Sequence, residues 1–123
     1  MKITTQYNSI EPFIPSGPNF EASKKLFVEL GFEIIWENNG YVGFKNNTCQ
    51  FILQQYDNKR FAENLMVRIT VPDLDAYWIE LSKKELTKHF KIKLRAPKEF
   101  PYGREVQLID LAGVCWHIAE NKK

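Results

Sequence analysis

Glu11, Arg68, Glu105 and His117 carry most of the chemistry this sequence offers. A carboxylate and an imidazole can exchange a proton or hold a divalent ion. No Ser/His/Asp or Cys/His triad can be assembled around them. Cys49 and Cys115 stand alone, without a CxxC or Cys/His spacing, so a structural zinc site is not expected. No sequence neighbour activates Cys115, which reads as a small inert residue. His89, among Lys88, Phe90 and Lys91, reads as a surface or strand residue. Nine Phe, five Tyr and three Trp supply apolar surface for a core or for a pocket. Trp36, Trp78 and Trp116 read as core, with Trp78 on the second helix's apolar stripe. Phe100 and Tyr102, beside Pro101 and Gly103, are better stacking platforms. Tyr56 and Phe61 flank a polar stretch and could cover a site.

These side chains need a scaffold, and the 123 residues suffice for one domain. The 44% hydrophobic content is enough for one core. The formal net charge of +2 is too balanced for a nucleic-acid partner. The runs Lys83-Lys84 and Lys91-Ile92-Lys93 read as a solvated face. The N-terminus has no apolar signal region, and no apolar span reaches the ~18–20 residues of a membrane crossing. The expectation is a cytoplasmic protein with reduced thiols and no membrane partner. Asn46-Asn47-Thr48 reads as a turn rather than a glycosylation site.

Two helices stand out. The first starts behind Asn19, a good N-cap, and stops at Gly31; Ser23, Leu26, Phe27 and Leu30 form its stripe. The second starts at Asp73, with Leu74, Tyr77, Trp78 and Leu81 as its stripe. Strands are expected over 10–15, 32–37, 41–45 and 49–54, then over 65–71, about 89–95, 104–109 and 114–119. Asn38-Asn39-Gly40, Asn46-Asn47-Thr48 and Asp110-Leu111-Ala112-Gly113 are the turns. The order is βαβββ twice, in modules of about 8–55 and 65–120, with polar 57–64 as the linker. The halves overlay weakly: Phe13-Ile14-Pro15-Ser16 falls on Arg68-Ile69-Thr70-Val71, and Gln50-Phe51-Ile52-Leu53 on Cys115-Trp116-His117-Ile118.

At three places the residues resemble vicinal-oxygen-chelate proteins. They are Phe27-Val28-Glu29-Leu30-Gly31-Phe32, Val71-Pro72-Asp73-Leu74-Asp75, and Gly103-Arg104-Glu105 followed by Asp110 to Glu120. The last combination is the most specific and is similar to the bleomycin-resistance type. The resemblance spans about residues 10–120. It implies an α+β fold of two tandem βαβββ modules, their curved sheets forming a cup with the helices outside. It also implies a homodimer.

Enzymes of that superfamily hold a metal with one side chain from the first and last strand of each module. Period-two alternation turns Phe51, Leu53, Trp116 and Ile118 toward the helices. The ligand-equivalent positions then become Glu11, Ile52, Met66 and His117. Ile cannot ligate a hard divalent ion and Met is a poor ligand for one, so neither a metal nor another cofactor is expected. The polar side chains fall on the concave face. The expected ligand contacts are Glu11, Phe13, Gln50, Gln54, Arg68, Glu105 and His117, with Tyr102 at the rim. The competing account has Glu11, Arg68 and His117 satisfying one another. What the resemblance implies is a non-enzymatic protein that binds a polar-aromatic small molecule, such as a glycopeptide antibiotic, without metal. The alternative is a metal-dependent glyoxalase-like lyase, isomerase or dioxygenase. The slightly basic balance departs from the acidic cleft that a cationic drug favours.

Overall fold

The computed structural model describes residues 1–120. The chain runs β1 (Phe13–Pro15), α1 (Phe20–Glu29), β2 (Glu33–Asn38), β3 (Tyr41–Asn46) and β4 (Cys49–Gln54). A short helix, α2 (Lys59–Asn64), leads into β5 (Met66–Val71). Then come α3 (Leu74–Lys84), α4 (Leu86–His89), β6 (Lys93–Phe100), β7 (Gly103–Ile109) and β8 (Cys115–Glu120). The strands form two four-stranded mixed sheets, β1-β4-β3-β2 and β5-β8-β7-β6, and neither closes into a barrel. In each sheet the first strand pairs parallel with the last and the others pair antiparallel. The α+β fold of two βαβββ units is the one expected.

Local chemistry explains the helix limits. Asn19 accepts a hydrogen bond from the Ala22 amide (3.0 Å), and Asp73 accepts one from Ala76 (3.0 Å). Gly31 follows α1 at φ +99°, a left-handed stop that a Cβ would strain. Lys83 and Lys84 occupy the last turn of α3, where a cation suits the helix dipole. Asn39 and Asn47 take positive φ in the two hairpin turns.

The apolar faces of both sheets share one core. Phe27 on α1 packs against Phe51 on β4 (ring centroids 4.9 Å) and against Trp116 on β8 (5.3 Å). Leu26, Phe27, Leu74 and Leu81 are buried as the stripes predict, while Leu30 and Trp78 are half-buried at the edge of the core. Trp78 is therefore core-bordering rather than central.

Several boundaries differ from the sequence reading. Residues 10–12 are exposed and outside the strand, so β1 has three residues instead of six. The polar linker contains α2, capped by Asn58, whose side chain accepts from the Phe61 amide (3.0 Å). Residues 86–89 form α4, and the sixth strand runs 93–100 rather than 89–95. No helix among the described residues is long and apolar enough to cross a membrane.

Candidate ligand-binding site

Opposite the apolar faces, each sheet presents an open face, and the strand registers place the polar residues there. On the first sheet Phe13 lies across from Ile52, Ile52 from Gly43, and Gly43 from Trp36. A Cβ on Gly43 would stand 2.1 Å from Trp36 Nε1, so the indole lies flat over this position and only glycine leaves room for it. Trp36 is thus a partly exposed aromatic on the open face (37%), not a core residue as the sequence suggested. The bulge between Ile34 and Trp36 resets the alternation and explains the error. Phe13 is 54% exposed and meets Tyr41 edge-on (6.0 Å), completing an aromatic surface. Gln50 and Gln54, half-buried on β4, flank Ile52.

The second sheet carries the charged part. Arg68 lies across from His117, and His117 from Gln107; Thr70 lies across from Ala119, and Ala119 from Glu105. His117 Nδ1 lies 2.5 Å from Glu105 Oε2. Gln107 Nε2 donates to the same oxygen (2.9 Å), and Arg95 donates to Gln107 Oε1 (3.0 Å). Burial alone would raise the Glu105 carboxyl, but the hydrogen bonds from Gln107 and His117 outweigh it and hold the carboxyl below the usual range. An ionised carboxylate only accepts, so Nδ1 of His117 is the donor in this pair. Both Nε2 of His117 and Oε1 of Glu105 are buried without a hydrogen-bond partner among the described residues.

Arg68 is exposed and makes no ion pair or hydrogen bond among the described residues. It lines a cavity of about 200 Å³ with Thr70, Tyr102, Arg104, Ala119 and Glu120. Tyr102 is 60% exposed and stacks on Phe100 (5.6 Å, 18° between planes). The structure thus brings Arg68, Tyr102, Glu105 and His117 to one face, and Phe13, Gln50 and Gln54 to another. Glu11 stays outside both sheets and accepts a hydrogen bond from Ser9 Oγ (2.7 Å). It pairs with neither Arg68 nor His117, so the account in which these three satisfy one another does not hold. The Glu105–His117 pair takes its place.

A metal held from the four ligand-equivalent positions does not fit these residues. Ile52 offers no donor atom, Met66 a thioether, and the ring nitrogen of His117 nearest a carboxylate is already used. Among the described residues no three His, Cys, Asp or Glu side chains cluster for a metal. Burial pushes the Cys115 thiol up, away from the reactive thiolate.

The fold is that of solved bleomycin-binding and glyoxalase/bleomycin resistance proteins. Among solved structures, the bleomycin-binding protein of bleomycin-producing Streptomyces verticillus, complexed with copper(II)-bleomycin, superposes with a TM-score of 0.78 at 20% identity. The match covers 97% of this chain and 100% of that one. A bleomycin resistance determinant encoded on the transposon Tn5 gives 0.80 at 16% identity, covering 95% and 100%. TnmS3, an antibiotic binding protein from Streptomyces sp. CB03234, gives 0.74 at 17% identity, covering 98% and 100%. By sequence, no family model matches the chain and no curated protein matches it.

Proposed function

We propose that this chain is a non-enzymatic small-molecule binding protein, taking a polar-aromatic ligand on its open sheet faces without a metal. The observation that carries the reading is the Trp36 indole laid over Gly43 on the same sheet face as the Phe13–Tyr41 pair. A core does not spend a glycine and three aromatics on a solvent-facing surface; a stacking site does. The neighbours that bind bleomycin or another antibiotic support a ligand of that kind. The proposed contacts are Phe13, Gln50, Gln54, Arg68, Tyr102, Glu105 and His117. Glu11, held by Ser9 outside the sheets, has the weakest support.

The modules 8–55 and 65–120 act as one domain in this reading, because Phe27, Phe51 and Trp116 join their cores. The two open faces expose Phe13 and Met66 (54% and 70%), so neither covers the other within one chain. A homodimer would bring a first-sheet face of one copy against a second-sheet face of the other and enclose the ligand. The glyoxalase-like enzyme lacks a donor set for its metal here, and burial pushes up the thiol of Cys115, which shares the face of the Glu105–His117 pair.

Calorimetric titration with a neutral polar aromatic, 2-naphthalenemethanol, tests the reading. The expected result is saturable binding that weakens about tenfold or more in the Phe13→Ala, His117→Ala double variant, the loss of roughly one stacking contact and one hydrogen bond. Equal affinity in the wild type and the variant removes these faces as the site.

A further inference from the structure

We propose that the site selects an organic anion: a planar aromatic acid that also carries a hydroxyl or N–H donor. This rests on the reading of the open faces as a ligand site and specifies its chemistry. On the second sheet the registers place Arg68, Lys93, Arg95 and Lys98 on the open face, against one carboxylate, Glu105. That face is more positive than the whole chain, which nets +2. The first sheet does not offset it, because Glu33 there lies directly across from Lys45.

The identity of the available cation matters more than the count. Arg104 also lines the cavity, but its guanidinium is engaged by Asp75 (2.8 Å). Glu120, the one acid lining it, accepts from the Leu74 amide (3.2 Å). Lys98 lies over the Phe100 ring (5.9 Å), and Arg95 is tied to Gln107. Of the two cations lining the cavity, only Arg68 is without a partner among the described residues, and its planar fork suits a carboxylate in two-point contact. Tyr102, in the same cavity, offers a ring face.

The second requirement comes from a different observation. Glu105 is buried with Oε1 unsatisfied, and Ala119, its cross-strand neighbour, lines the same cavity. His117 Nε2 is also unsatisfied, and His117 is the cross-strand neighbour of Arg68. A buried acceptor without a donor is costly, so a donor supplied with the ligand would be rewarded. Oε1 of the ionised Glu105 can only accept. It calls for an O–H or N–H next to the anionic group, and a bare carboxylate would meet only Arg68. A cationic ligand would instead face Arg68 and three further cations with the one carboxylate already bound twice.

Titrations at low ionic strength with 2-naphthoate, 2-naphthalenemethanol and 2-naphthylmethylammonium, which share one ring system, read the charge preference. The anion should bind about tenfold or more tightly than the cation, and the difference should shrink with added salt. Arg68→Glu should reverse the order, Arg68→Gln should abolish it, and thermal unfolding of both variants should match the wild type, since Arg68 is exposed. 3-Amino-2-naphthoate, which keeps one N–H free of its own carboxylate, should bind more tightly than 2-naphthoate. Equal binding of all three probes, or a preference unchanged in Arg68→Glu, overturns the charge assignment and leaves the open faces as a site. Equal binding of the two naphthoates overturns the donor requirement. Failure of every probe to bind overturns both this inference and the functional reading.

Discussion

Glu105 concentrates the chemistry of the second sheet in one side chain. Its carboxylate is fully removed from water, yet it is kept ionised by His117 and Gln107, which share one of its oxygens. A folded-state pKa held below the unfolded value contributes stability that is present above the ordinary Glu range, near ~4.3, and is lost as pH falls through the folded value. The wild type should therefore lose stability on acidification below about pH 4, and Glu105→Gln should flatten that acid limb. Glu105→Ala leaves His117 Nδ1 and Gln107 Nε2 without their acceptor and should cost ~1–3 kcal/mol at neutral pH. Denaturant titration at pH 7 and pH 4 measures both. An acid limb as steep in Glu105→Gln as in the wild type contradicts the assignment. Both residues were legible in the sequence as site candidates, because alternation along β7 and β8 puts them on one face. Their pairing was not legible, because it depends on the register between strands, which period two alone does not specify. Trp36 was misread for a related reason: a bulge in β2 breaks the alternation, and its only sequence signal is the small residue at Gly43 across the hairpin.

At the scale of elements, the β7–β8 turn holds the pair in place. Asp110 accepts hydrogen bonds from the amides of Ala112, Gly113 and Val114 (3.0, 3.1 and 3.0 Å) and from Trp116 Nε1 (2.8 Å). One carboxylate thus closes the turn and pins the core indole of the next strand, fixing the register in which Glu105, Gln107 and His117 share a face. Asp110→Ala removes four hydrogen bonds at once and should destabilise the protein by ~2–4 kcal/mol, read from the denaturation midpoint. A loss below about 1 kcal/mol would show that the turn does not depend on this side chain. The turn was readable from Asp110 to Gly113, as were both long helices, because caps and stripes are local signals. The late start of β6 was not. Lys91 to Lys93 read as strand or solvated run alike, and the irregular register between Arg95 and Lys98, around Pro97, hides the pleat. The short helices α2 and α4 have too few turns to build a stripe.

For the whole molecule, the two sheets turn their apolar faces to a common core and their aromatic and charged faces to solvent. Exposed Phe13, Tyr41, Met66 and Tyr102 are a large apolar outlay for the surface of a 123-residue chain. A second copy would cover them, and the open edges β2 and β6 call for the same protection. An interface of ~1,000 Å² or more is the expected scale. Native mass spectrometry of the purified protein, before and after adding the naphthalene probes, weighs assembly, ligand and metal together. The expected species is a homodimer carrying no stoichiometric metal and taking up one probe per open-face pair, two per dimer. A monomer at tens of micromolar, a dimer that takes up none of the probes, or one equivalent of metal per chain would contradict it.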